Sequence, residues 1–220
     1  MAPRHWKNFK KEQYSKPKKN ASPYLTETVD LPLSEIELFF DIETDPMRDV
    51  CYLHGFVKRD NQKNNTETFY YFYADEPTQE CEKQAFKDAF GFIRESQPCM
   101  IYYYSKYERT IWRKLQKRYP DIASAEEIED IFSTENSVDL YYDVVKPKTE
   151  WPTRDFSIKT LASYLGFSWR DTDPSGASSI EWYHRWVESK DKTIRNRILK
   201  YNEDDCVATR VLLDGIRRLS

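Results

Sequence analysis

The chain has 220 residues with 16 Tyr, 12 Phe and only 5 Gly, a length that suits one large domain able to bury about 70% of its unfolded surface without a covalent staple. Low glycine with high charge excludes a low-complexity or collagen-like chain, and a net charge of −3 excludes a global basic field that would draw in nucleic acid. The distribution is uneven: residues 1–20 carry Arg4, Lys7, Lys10, Lys11, Lys16, Lys18 and Lys19 against Glu12, a net +6 that leaves −9 on the other 200 residues.

Residues 1–30 are polar, basic and aperiodic, with Pro3, Pro17 and Pro23. They read as a flexible arm, either a solvated leader or a segment that contacts phosphates and makes binding salt-dependent. The domain is expected over residues 31–220. Glu35–Ile42 (EIELFFDI) reads as a strand that becomes buried on both faces, stopped by Thr44-Asp45-Pro46. Residues 50–58 and 67–74 are aromatic and β-branched, and the turn signal DNQKNN between them predicts a hairpin. Helical spacing of Ala85, Phe86, Ala89, Phe90 and Ile93 predicts a helix over 78–95, with Thr78 as its N-cap. Cys99–Tyr104 reads as a strand, Tyr107–Tyr119 as a helix, and Ala125–Ile131 as a short helix. Val138–Val145 is strand-like or opens a helix. Helices follow at 157–165, where Gly166 supplies a C-cap, at 179–186 and at 193–219. This order predicts an α/β fold, a mixed sheet flanked by helices.

None of the four cysteines, Cys51, Cys81, Cys99 and Cys206, forms a CxxC pair or stands at zinc-ligand spacing from a histidine, so reduced thiols are expected rather than a zinc or iron–sulfur centre. With no apolar run of about 18 residues and no signal-peptide core, the chain is expected to be soluble and cytoplasmic, without a membrane partner.

Three fragments carry the chemistry. Asp41-Ile42-Glu43 follows an apolar run, and strand alternation puts Asp41 and Glu43 on one face. Each pair of like charges ~4 Å apart costs on the order of 1–4 kcal/mol between water-like and surface-like dielectrics, so two acids on a buried strand invite a cation; the alternative is a strand end exposed to water. In Tyr201-Asn202-Glu203-Asp204-Asp205, Tyr201 and Asp205 are i and i+4 and share a helix face. A phenol one turn from a carboxylate can orient a metal-bound water; the alternative is a solvated acidic turn. Asp204 points about 100° away and is expected at the surface. In Tyr104-Ser105-Lys106-Tyr107-Glu108, Glu108 either caps a helix N-terminus or faces Asp41 from the exit of a strand.

Together these fragments resemble the tyrosine subclass of the DEDD 3′–5′ exonuclease superfamily, which is ribonuclease-H-like. Asp41 and Glu43 match its D-x-E motif, and Tyr201 and Asp205 match Y-x-x-x-D. At the second motif Tyr104 stands for the usual Asn, Tyr107 for the aromatic, and Glu108 for the Asp. This departure is similar to the branch often fused to RecB-type nucleases, as are Tyr52-Leu53-His54-Gly55, Val138-Asp139-Leu140, and Ser157-Ile158-Lys159-Thr160-Leu161 ahead of Tyr164-Leu165-Gly166. The resemblance implies a ribonuclease-H-like fold over roughly residues 36–219 and two Mg²⁺ or Mn²⁺ ions. Asp41, Glu43 and Asp205 would hold one ion and Glu108 with Asp41 the other, with Tyr201 orienting water. Thr44, Tyr104, Tyr107 and Lys159 are the expected substrate contacts, although Lys159 suits a solvated face equally well. The expected activity is hydrolysis from single-stranded DNA or RNA 3′ ends, DNA slightly favoured, with a protein partner in a larger nuclease or helicase assembly. A non-catalytic nucleic-acid-binding module and a structure-specific endonuclease are the competing functions. Asp139 is expected to be structural, the alternative being an acid that backs the metal ligands from outside; Trp182, Tyr183 and Trp186 are expected in the core; His54 and His184 are given no catalytic part.

Overall fold

The computed structural model describes residues 21–219. The basic residues of the expected arm, 4–19, lie outside that range. Of the remainder assigned to the arm, β1 (Tyr24–Leu25) pairs with a strand far along the chain, Glu150 opposite Tyr24, and Val29 is buried. The folded domain therefore begins before residue 31.

The central sheet is built from β2 (Ile36–Asp45), β3 (Val50–Asp60), β4 (Thr68–Tyr73), β5 (Met100–Tyr103) and β6 (Ser137–Asp139), in the order β4-β3-β2-β5-β6. β2, β3 and β4 form an antiparallel meander, while β5 and β6 run parallel to β2. Between them come α1 (Gln79–Glu95), α2 (Tyr107–Arg118) and α3 (Ala125–Ile131), followed by α4 (Lys146–Lys148), β7 (Thr149–Glu150), the partner of β1, and then α5 (Ile158–Tyr164), α6 (Gly176–Ser189) and α7 (Lys192–Arg217). This is the expected mixed sheet flanked by helices. The ambiguous stretch from Val138 resolves both ways: Asp139 ends β6, and its carboxylate caps a π-helical segment, Leu140–Val145, by accepting from the backbone N–H of Tyr141 and Tyr142.

Alternation along β2 divides the molecule. Leu38, Phe40 and Ile42 point to the layer of α1, α2 and α3, where they meet Phe86, Phe90, Trp112 and Ile128. Phe40 stacks on Phe56 at 4.6 Å and meets Trp112 edge-on at 5.3 Å. Residues 37, 39, 41 and 43 point the other way, toward α5 and α7; Phe39 packs there with Leu161, Cys206, Leu212 and Ile216. Filling these two apolar layers, at about 1.5–3 kcal/mol for each large side chain buried, fixes the register of β2 and hence the face its acids occupy. Trp182, Tyr183 and Trp186 are buried, as expected, in a third cluster with Tyr201.

Candidate active site

Two periodicities bring the acids together. Asp41 and Glu43 lie two apart on β2, facing α7, and Asp205 projects from the middle of α7 toward them. Carboxylate oxygens of Asp41, Glu43 and Asp205 lie within 4.8 Å of one another, with Asp41 half-buried and the other two buried. Glu108 falls outside that set of three. It is buried in the first turn of α2, one of its oxygens has no hydrogen-bond partner, its charge bears on Asp41, and the charge of Asp205 bears on it.

The electrostatics follow from this crowding. Burial, then the Asp205 and Glu43 charges, then that of Glu108, push Asp41 well above the usual carboxylate range. Burial and Asp205 raise Glu43 to about 8. Asp205 and Glu108 are raised as well, by burial first. The charge of Lys159 of α5 opposes the shifts of Asp41, Glu43 and Asp205, and its ammonium donates to the Tyr201 hydroxyl at 2.9 Å. Burial, followed by the charges of Asp205, Glu43 and Asp41, raises the Tyr201 phenol far above its ordinary range, so Tyr201 keeps its proton and serves as a donor rather than a base.

Each carboxylate is aimed by a neighbour. Asn202 donates to Asp41 Oδ2 at 2.7 Å. It fits because residue 55 is glycine: a Cβ there would stand 1.6 Å from Asn202 Oδ1. The Trp169 indole donates to Asp205 Oδ1 at 2.7 Å. Tyr52, whose hydroxyl also meets Ser179 at 2.7 Å, reaches Glu43 Oε2 at 3.4 Å. A bulge makes that contact available. The β2–β3 register shifts after Glu43, which pairs with Leu53 while Thr44 pairs with Cys51, and the extra residue, Tyr52, turns to the same face as Leu53.

The remaining candidates divide. Thr44 and Tyr107 bond through their hydroxyls at 2.6 Å, with Tyr107 exposed. Lys159 stands beside the acids. Tyr104 is turned away: it is half-buried against Tyr141, and its hydroxyl donates to the carbonyl of Phe156. Asp139 accepts from the backbone N–H of Ser105 at 2.9 Å as well as capping the π-helical segment, and its charge raises Glu108. Asp204, expected at the surface, is buried instead, because Arg170 brings both its backbone N–H and its Nε to the carboxylate at 2.8 Å. His54 is buried and accepts from the Trp112 indole at 3.2 Å; burial lowers its pKa to about 3, so it stays neutral. His184 meets the buried Asp45 at 2.6 Å. Asn202 was legible in principle, since it lies i−3 from Asp205 on the same face of α7. Trp169 sits in the irregular stretch ahead of α6 and carried no such signal.

The three convergent carboxylates form an all-oxygen donor set, which fits a hard divalent cation such as Mg²⁺ or Mn²⁺. A family model described as the RNase H superfamily matches residues 38–216, from the start of the β2 core to the end of α7. The chain belongs to the RNase H superfamily. Comparisons with curated proteins and with solved structures each found no match. Membership of the RNase H superfamily points to a nuclease or nucleic-acid-binding role, and the acidic cluster supports metal binding. Among the described residues no helix is long and apolar enough to cross a membrane.

Proposed function

We propose that the chain is a metal-dependent 3′–5′ exonuclease of the DEDD tyrosine subclass that hydrolyses single-stranded nucleic acid, DNA ahead of RNA, by a two-metal-ion mechanism. One observation carries this reading: acids 164 residues apart in sequence, Asp41 and Asp205, meet with Glu43 within 4.8 Å in a buried setting. Without a cation such a cluster is costly, and a module that only binds nucleic acid gains nothing from it. The Y-x-x-x-D spacing supports the tyrosine subclass, and the tyrosine-and-glutamate form of the second motif supports the branch often fused to RecB-type nucleases.

Asp41, Glu43 and Asp205 would hold one ion, and Asp41 with Glu108 the other. Bound Mg²⁺ or Mn²⁺ supplies the Lewis acidity that makes water nucleophilic near neutral pH and stabilises the departing oxygen. The chain supplies positioning. Asn202, Trp169 and Tyr52 hold the carboxylates in place, as outer hydrogen-bond partners do around metal ligands. Tyr201 orients the attacking water through its retained proton. Lys159 balances negative charge beside the scissile phosphate, and the Thr44–Tyr107 pair lines the approach to the acids.

The test is a time course on end-labelled single-stranded DNA, RNA and duplexes with Mg²⁺, Mn²⁺ or EDTA. The expected result is a ladder shortening from the 3′ end, with mononucleotide released and EDTA stopping the reaction. Internal cuts would make the chain an endonuclease; binding without hydrolysis under any metal would make it a binding module.

A further inference from the structure

Beyond the acidic cluster, the same edge of the sheet carries a second surface. β2, β5 and β6 are parallel, so their carboxyl ends lie on one edge, where open α/β sheets characteristically bind ligands. Asp41 and Glu43 lie in the carboxyl-terminal half of β2, beyond the residues that pair with β5. Past β5 come Lys106 and Tyr107, both exposed, just ahead of Glu108. Past β6 comes the π-helical segment with Tyr141 and Tyr142, followed by Lys146. Such segments are rare and recur at functional sites.

The side chains from these two loops converge. Lys106 Nζ lies 4.1 Å from the centre of the Tyr142 ring, and Lys146 Nζ lies 5.4 Å from the same ring and 6.0 Å from Tyr141. Two ammonium groups thus share one exposed ring, within 10 Å of each other. Among the described residues neither forms an ion pair with a carboxylate. The adjacent acid, Asp143, has an oxygen engaged by the backbone N–H of Asp139 at 3.0 Å. At the opposite end of the edge, beyond β4, the cations are already answered: Arg195 by Asp75 at 3.2 Å and Lys190 by Glu76 at 3.4 Å. The lysine–tyrosine cluster beyond β6 is therefore the stronger anion site, and its aromatic faces add what a flexible strand needs. Grooves that hold single strands pair basic side chains for the backbone with rings on which bases stack.

We infer that Lys106, Tyr142 and Lys146 form a subsite for single-stranded nucleic acid away from the scissile bond, the lysines meeting phosphates and Tyr142 carrying a stacked base. The inference rests on the nucleic-acid reading above and fixes the side of the acidic cluster on which the strand leaves, toward β6. It is tested by binding rather than cleavage. Fluorescence anisotropy with a labelled single strand of about 12 nucleotides, in EDTA across a salt series, compares the full chain with K106A/K146A, Tyr142→Leu, Tyr142→Phe and, as a charge control on α1, K83A/K87A. Loss of two phosphate contacts lowers the slope of log affinity against log salt by about 1.4 for a single strand, so K106A/K146A should flatten it by that amount while K83A/K87A leaves it unchanged. Tyr142→Leu should weaken binding about tenfold at unchanged slope, and Tyr142→Phe should bind as the wild type does. Equal slopes for K106A/K146A and K83A/K87A, or equal affinity for the Leu and Phe variants, would overturn the subsite. Because hydrolysis is not read, an inactive protein that still shows the slope change would sink the exonuclease proposal and leave the subsite standing.

Discussion

At the scale of single residues, the acids are held in an arrangement that favours function over stability. Asp41 sits among Asp205, Glu43 and Glu108, each of which raises its pKa. Asp41→Asn keeps the shape and removes one of the repelling charges. It should abolish metal-dependent hydrolysis while raising the thermal midpoint of the metal-free protein, the trade-off expected where a site stores strain; an active variant, or an unchanged midpoint, would count against the cluster. Tyr201→Phe should keep its edge-on packing on Trp182 at 5.9 Å and lose the bond to Lys159. Removing one fixed hydrogen-bond donor from an active site costs about 10²–10³-fold, so turnover should fall with little change in midpoint. The acids were readable in the sequence because each rides on a regular period, two along β2 and 3.6 along α7. Trp169 and Arg170 were not, because they reach Asp205 and Asp204 from irregular chain, where spacing says nothing about direction.

At the scale of elements, the site depends on how closely β3 and α7 approach. Gly55 sets that distance, and a methyl group there would meet Asn202 Oδ1 at 1.6 Å. Gly55→Ala should therefore displace Asn202 from Asp41 and lower turnover about 10–100-fold, the range seen when an outer partner of a metal ligand is lost. It should also destabilise by about 1–3 kcal/mol, as overpacking does. Kinetics matching the wild type would mean that Asn202 does not orient Asp41. Sequence reasoning recovered the strands and helices because hydrophobic periodicity reports which face is buried. It left Val138–Val145 undecided, since a three-residue strand running into a π-helical segment contains too little of either period. It named Tyr104 as a substrate contact and gave no sign that its hydroxyl donates to the carbonyl of Phe156, a residue of irregular chain 52 positions further on. The bulge that brings Tyr52 to Glu43 was likewise invisible, because alternation alone assigns Tyr52 to the face of His54.

At the scale of the whole molecule, the cluster makes stability depend on pH in a defined direction. Unfolded, Glu43 ionises near 4.5; folded, it holds its proton to about 8. Between those values the folded state binds more protons, so the stability of the metal-free protein should fall as pH rises through that window and be greatest below it. Asp41, Glu108 and Asp205 shift in the same direction. A divalent cation binds the ionised site and should reverse the trend, adding about 2.7 kcal/mol at a hundredfold excess over its dissociation constant. The most direct measurement is a calorimetric titration of Mn²⁺ into the wild type and into the D41N/D205N variant at about pH 8, where ionised carboxylates are available. Saturable binding by the wild type, lost in the variant, is the predicted result; identical titrations, or no binding by the wild type, would contradict the claim that these carboxylates form a metal centre.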